Sequence, residues 1–121
     1  LPGRVLLLEC LLHLLALDLP DGRFDGVFAN ASLFHVPMDA ISRVLEELRA
    51  SLKPEGVLVC SNPRGRNIEQ MNGERYGAYY DLDRWRALVA PVGFAEITHY
   101  YRPTGRPRDQ QPWLVTVWRK A

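Results

Sequence analysis

The 121-residue sequence predicts an α/β domain whose sheet is mostly parallel and closes with an antiparallel hairpin. Three observations carry this prediction. Residues 24–30 form a nearly continuous apolar run, followed by a polar loop, an amphipathic helix and a second apolar run at 56–61; strand, helix and strand in that order make a right-handed βαβ crossover. Residues 94–101 and 113–119 each alternate aromatic or β-branched residues with polar ones, and only a turn-rich connector at 103–112 lies between them. Strands joined without a helix pair antiparallel. Finally, an apolar fraction of 47% and a charged fraction of 24% suit one folded domain with a core of its own.

Each element has its own warrant. Residues 4–19 are rich in Leu and Ala and read equally as helix or buried strand. Glu9 and His13 interrupt the run, it is shorter than a membrane span, and no small-residue cleavage site follows. Pro20-Asp21-Gly22 then turns the chain. The 24–30 strand is expected to be buried on both faces, and 31–37 is a loop with Asn30, Ser32 and His35 near its ends. Over 38–53, Ile41, Val44, Leu45, Leu48 and Leu52 share one helical face, while Arg43, Glu46, Glu47, Arg49 and Lys53 share the other. Asp39 and Lys53 suit the helix dipole, and Pro54 and Gly56 stop the helix. The polar stretch 63–80, with three tyrosines, reads as a long functional loop. Asp81 caps a short helix that turns Leu82, Trp85, Leu88 and Val89 inward and ends at Pro91 and Gly93.

Composition excludes several function classes. A net charge of +1 provides no field to recruit nucleic acid or an anionic membrane. Cys10 and Cys60 lack CxxC spacing, so they read as free thiols of a cytoplasmic protein and not as a zinc site. No Ser-His-Asp order, HExxH or Walker loop is present. Turn chemistry accounts for Asp18, Asp21 and Asp25, and no metal site is expected.

Function candidates cluster after strand ends. His35 follows the carboxyl end of a strand, where open α/β sheets bind ligands, and imidazole is the side chain suited to moving protons near neutral pH. Tyr76, Tyr79 and Tyr80, with Arg64, Arg66, Asn67 and Arg75, make a polar-aromatic segment able to lie over a substrate. His99 reads as structural. Arg102, Arg106 and Arg108 read as a solvated turn, with an anion site as the other reading, and Trp85, Trp113 and Trp118 read as packing residues.

The segments Leu17-Asp18-Leu19-Pro20-Asp21-Gly22-Arg23-Phe24-Asp25-Gly26-Val27, Ala29-Asn30-Ala31-Ser32-Leu33-Phe34-His35-Val36 and Leu48-Arg49-Ala50-Ser51-Leu52-Lys53-Pro54-Glu55-Gly56, with the helix before Val92-Gly93-Phe94 and the final hairpin, carry a family resemblance. From about Leu14 onward the chain resembles the C-terminal two-thirds of a class I S-adenosylmethionine-dependent methyltransferase of the type 11-like small-molecule group. The resemblance implies a Rossmann-like sheet without its N-terminal glycine-loop βα units, in a single domain over 1–121 truncated at its N-terminus. It implies S-adenosylmethionine as cofactor and a small-molecule methyl acceptor as partner. By position, Ala29, Asn30 and Ala31 approach the cofactor's methionine portion, largely through backbone. His13 aligns where the family has an acid near the adenine, although on its own pattern it also reads as a core histidine; Glu9 is a less well-placed substitute. The family's glycine loop and ribose-binding acid have no counterpart. The 63–80 segment covers the substrate side, which makes Arg64, Asn67, Tyr76, Tyr79 and Tyr80 substrate candidates and His35 the catalytic one.

The expected function is therefore methyl transfer to a small molecule. The alternative is a non-catalytic remnant acting by oligomerisation or partner binding. In that reading a homo-oligomer, or an N-terminal segment, covers a sheet edge left bare by the missing units. A different doubly wound enzyme, such as a reductase, is disfavoured by the terminal hairpin.

Overall fold

A computed structural model describes residues 3–8 and 18–121. In chain order its elements are β1 (Val5–Leu8), β2 (Phe24–Asn30), α1 (Ile41–Ser51), β3 (Leu52–Pro63), β4 (Ile68–Asn72), β5 (Arg75–Tyr79), α2 (Leu82–Gly93), β6 (Phe94–Arg102) and β7 (Trp113–Lys120). Five strands form one sheet in the order β1-β2-β3-β7-β6, and β4 and β5 form a separate hairpin. β1, β2 and β3 run parallel, while β7 is antiparallel to both β3 and β6. The predicted mixed sheet with a terminal antiparallel hairpin is thus present, with β7 the reversed strand.

The two faces of this sheet differ. Val27, Ala29, Leu58, Cys60 and Trp118 point to one face and are buried, because α1 and α2 lie there. α1 contributes Ile41, Val44, Leu45 and Leu48, all at 0% exposure; each such side chain adds about 1.5–3 kcal/mol relative to an exposed position. α2 contributes Trp85, whose Nε1–H donates to Thr116 Oγ1 at 3.0 Å. The register sets Val5, Leu7, Phe28, Val59 and Val117 on the opposite face. There Phe28, Val59 and Val117 are only half-buried, and Val5 and Leu7 are each 59% exposed. β2 is therefore buried on one face, not on both as its sequence suggested.

Other boundaries also move. Of the ambiguous 4–19 segment, Val5–Leu8 is a strand; Glu9, Cys10 and His13 lie outside the described residues. β1 is held to β2 at its start, where the Arg4 N–H donates to an Asp25 carboxylate oxygen at 2.8 Å. The helix expected over 38–53 spans Ile41–Ser51. Asp39 does not cap it; the chain first makes a turn in which the Ala40 N–H donates to the Pro37 carbonyl at 2.9 Å. It stops at Ser51 because Pro54 drives the residue before it out of helical conformation and because Leu52 is already extended and paired with Phe24. β3 accordingly starts earlier than residue 56. Gly56 is required where the turn closes, since a Cβ there would come within 2.8 Å of the Lys53 carbonyl oxygen. The cap and the inward face of α2 are as expected, with the Asp81 carboxylate accepting from the Arg84 N–H at 2.8 Å and Trp85 and Val89 buried, but Leu82 and Leu88 are only half-buried and Pro91 lies inside the helix, which runs on to Gly93.

The largest difference is at 63–80. Most of the expected loop is the β4–β5 hairpin, whose tip is Asn72-Gly73-Glu74-Arg75 with Asn72 paired to Arg75. Gly73 has φ +67, as the mirror-image turns of two-residue hairpin loops require at that position.

Candidate functional site

The sheet's carboxyl end is organised by the loop that leaves β2. Ala31 adopts φ +51 and its N–H donates to the Ser61 carbonyl at 2.8 Å, tying the loop to the end of β3. Leu33 and Val36 are buried and pin a short 3-10 turn, Leu33–His35, over the core. Phe34 and His35 remain half-buried with ring centroids 3.9 Å apart. Two clefts open along this loop.

The first cleft, of about 230 Å³, lies between the loop and the β4–β5 hairpin and is lined by Phe34, His35, Asn72, Arg75, Tyr76 and Tyr79. His35 Nδ1 stands 2.8 Å from the Tyr76 carbonyl oxygen. A carbonyl only accepts, so Nδ1 carries a proton and donates it, and in the neutral imidazole the lone pair lies on Nε2. The Tyr76 hydroxyl accepts from the Met38 N–H at 3.2 Å and donates to Glu69. Burial, then the hydrogen bond to Glu69, pushes the Tyr76 phenol up to about 12, so it stays protonated at physiological pH. The Tyr79 ring sits 5.8 Å from Phe34, and its hydroxyl accepts from Asn72 Nδ2 at 2.9 Å. The hairpin thus orients an imidazole whose free nitrogen can take a proton.

The second cleft, of about 420 Å³, is lined by Asn30, Ala31, Ser61, Arg102, Pro103 and Trp113. Asn30, Ser61, Trp113 and Arg102 come from four adjacent strands and share the sheet face opposite the helices. Asn30 is exposed and Ala31 half-buried, so side chain and backbone at the end of β2 are open to a ligand.

The structure therefore divides the residues singled out from sequence. His35, Tyr76 and Tyr79 come together, and Asn30 and Ala31 line the other cleft. Ala29, at 0% exposure, points into the helix-covered core, so only its backbone belongs to this end of the sheet. Arg64 ties down the β6–β7 connector, donating from Nε to the Gln111 carbonyl at 2.7 Å and from Nη2 to the Arg108 carbonyl at 2.5 Å. Asn67 and Asp81 bond reciprocally at 3.0 Å, fixing the hairpin's base to the start of α2. Tyr80 is core, stacked on Trp85 at 5.6 Å, and burial pushes its phenol up to about 12. His13 lies outside the described residues. Phe34, Asn72, Ser61 and Trp113 line the clefts without having been singled out as site residues. The Asn72-Gly73 dipeptide is a hairpin signal, although here Asn72 pairs with Arg75 and Gly73-Glu74 form the loop, so the signal marks the turn and not the register that brings Asn72 to Tyr79. Ser61 and Trp113 meet only through strand register.

His99 is structural, as its strand position suggested: its Nδ1 lies 3.1 Å from Glu96 Oε2, and Arg86 bonds the same carboxylate at 2.6 and 3.0 Å. Among the described residues no group of three or more His, Cys, Asp or Glu side chains is placed to hold a metal ion, and no helix is long and apolar enough to cross a membrane.

Residues 5–60 match the family model described as a methyltransferase domain. No curated protein matches the chain in sequence. Solved structures similar in fold include the Burkholderia thailandensis 1,6-didemethyltoxoflavin-N1-methyltransferase, determined with 1,6-didemethyltoxoflavin and S-adenosylhomocysteine bound. It is 24% identical with a TM-score of 0.74, over 89% of this chain and 48% of that one. An S-adenosylmethionine-dependent methyltransferase from Mesorhizobium loti is 17% identical with a TM-score of 0.71, over 88% of this chain and 66% of that one. The [4+2]-cyclase SpnF, 16% identical, aligns with a TM-score of 0.65 over 88% of this chain and 53% of that one. The chain spans about half to two-thirds of the length of these structures. Residues 5–60 thus resemble a methyltransferase domain in sequence, and the strand order with its reversed β7 is the fold of the S-adenosylmethionine-dependent methyltransferases to which the chain is similar.

Proposed function

We infer that the protein transfers a methyl group from S-adenosylmethionine to a small-molecule acceptor, with His35 as general base. The observation that carries this reading is the His35–Tyr76 hydrogen bond of 2.8 Å, which engages Nδ1 and turns Nε2 free of that bond beside the carboxyl end of β2. The residues present fit the methionine end of the cofactor: Asn30 offers an exposed amide, and the backbone of 29–31 ends a strand beside an open cleft. Among the described residues no carboxylate lines that cleft to take ribose hydroxyls. When bound, S-adenosylmethionine supplies a sulfonium-activated methyl group. Asn30 and the 29–31 backbone hold its amino-acid end, the loop 31–35 sets the acceptor beside it, and His35 Nε2 takes the acceptor's proton. Holding the two reactants in line supplies much of the rate.

Titrating ¹⁵N-labelled protein with S-adenosylhomocysteine tests the placement. Amide shifts concentrated at Asn30, Ala31 and Ser61 support it; shifts confined to the β4–β5 hairpin oppose it.

A second reading, self-assembly, rests on β1. Among the described residues it is an edge strand of the sheet with Val5 and Leu7 exposed, and an open apolar edge is a template for pairing with a second copy. A monomeric mass by light scattering across micromolar concentrations would eliminate it.

A further inference from the structure

We propose that the Arg102 cleft selects the acceptor, and that the acceptor carries a carboxylate on a flat, apolar body. This rests on the methyl-transfer reading and adds the substrate class to it.

Among the described residues lining this cleft Arg102 supplies the only charge, and none is a carboxylate. Among the described residues Arg102 makes no ion pair and no side-chain hydrogen bond. The other arginines of the β6–β7 connector are placed differently. The Arg108 guanidinium lies over the Tyr101 ring at 3.5 Å from its centroid, and Arg106 is an exposed turn residue outside the cleft. The guanidinium at the cleft is therefore available, and its planar fork of donors matches a carboxylate.

Trp113 pairs directly with Arg102 across the β6–β7 ladder and is half-buried, so it presents an aromatic wall beside the cation. Such a wall suits a flat ring. The sheet order sets the direction of the ligand. Asn30 is on β2 and Arg102 on β6, with β3 and β7 between, so the two backbones stand three strand spacings, roughly 14 Å, apart. An anion on Arg102 is thus held away from the 29–31 backbone assigned to the cofactor, at the other end of one continuous cleft. A ligand whose carboxylate pairs with Arg102 and whose ring lies along Trp113 points its far end at the β2 loop, where the methyl is delivered.

Calorimetric titration of the protein with 2-naphthoate and with its neutral isostere 2-naphthamide tests this. The wild type should bind the carboxylate about tenfold more tightly. Arg102→Gln should erase that preference at unchanged Tm, Arg102→Lys should restore part of it, and Arg106→Gln should leave it intact. Equal affinity for the two probes in the wild type, or a preference that survives Arg102→Gln, overturns the proposal. A parallel titration with S-adenosylhomocysteine separates the two readings. If Arg102→Gln weakens that ligand instead of naphthoate, the cation serves the cofactor and the acceptor assignment is wrong. If S-adenosylhomocysteine fails to bind the wild type while the naphthoate preference holds, the methyl-transfer reading fails and the anion site stands.

Discussion

The two clefts along the β2 loop are built on opposite principles. In the His35 cleft the side chains hold one another: Tyr76 binds the imidazole through its carbonyl, its hydroxyl bridges Met38 and Glu69, and Asn72 binds Tyr79. In the Arg102 cleft the polar groups come from strand ends and face outward, and its cation has no partner among the described residues. A preorganised cluster suits chemistry, because its geometry need not change when the reaction occurs. An open cleft with one unpaired charge suits recognition. Substitutions in the two clefts should therefore affect different kinetic constants.

The largest expected effect follows from that contrast. His35→Ala should lower kcat for methyl transfer by about 10²–10⁴-fold while leaving S-adenosylhomocysteine affinity unchanged. Arg102→Gln should instead raise the acceptor KM with little change in kcat. A His35→Ala enzyme altered only in KM would remove the distinction between the clefts.

Next in size are two changes to the hairpin's support. Gly73→Val forces a β-branched residue into φ +67 and should cost about 1–2 kcal/mol. Because the hairpin orients His35, kcat should fall by more than the small loss in Tm suggests; unchanged kcat would show that His35 does not depend on Tyr76. Tyr80→Phe removes a buried hydroxyl that has no hydrogen-bond partner. It should raise stability by about 1 kcal/mol in denaturant titrations and leave activity intact. Lost activity would return Tyr80 to the substrate side.

The smallest effect lies away from both clefts. The Arg86 hydrogen bonds, with His99 adding to them, hold the Glu96 carboxyl below its ordinary value of 4.5. A carboxylate lowered in the folded state stabilises the fold above the ordinary value and loses that contribution as pH falls through the lowered one. Glu96→Gln should thus cost up to about 1 kcal/mol at pH 7 and flatten the decline of Tm below pH 5. Parallel Tm–pH curves for wild type and variant would show that the pair contributes nothing.

How much of this was legible in the sequence follows from burial and register. β2, α2 and the β6–β7 hairpin were legible because their apolar residues repeat at strand or helix spacing. The β4–β5 hairpin was not, because all five residues of β4 are exposed and carry no apolar alternation; only Asn72-Gly73 marked it. His35 was legible from its place after a strand, but its partner Tyr76 is 41 residues away. The Arg102 cleft was the least legible. Its lining residues meet only because β7 inserts between β3 and β6, and local pattern does not specify strand order.

The account rests on a cofactor surface at Asn30 and Ala31, and calorimetric titration with S-adenosylhomocysteine tests it most directly. Saturable one-to-one binding in the micromolar range is predicted. No binding at millimolar ligand by a folded protein would contradict it.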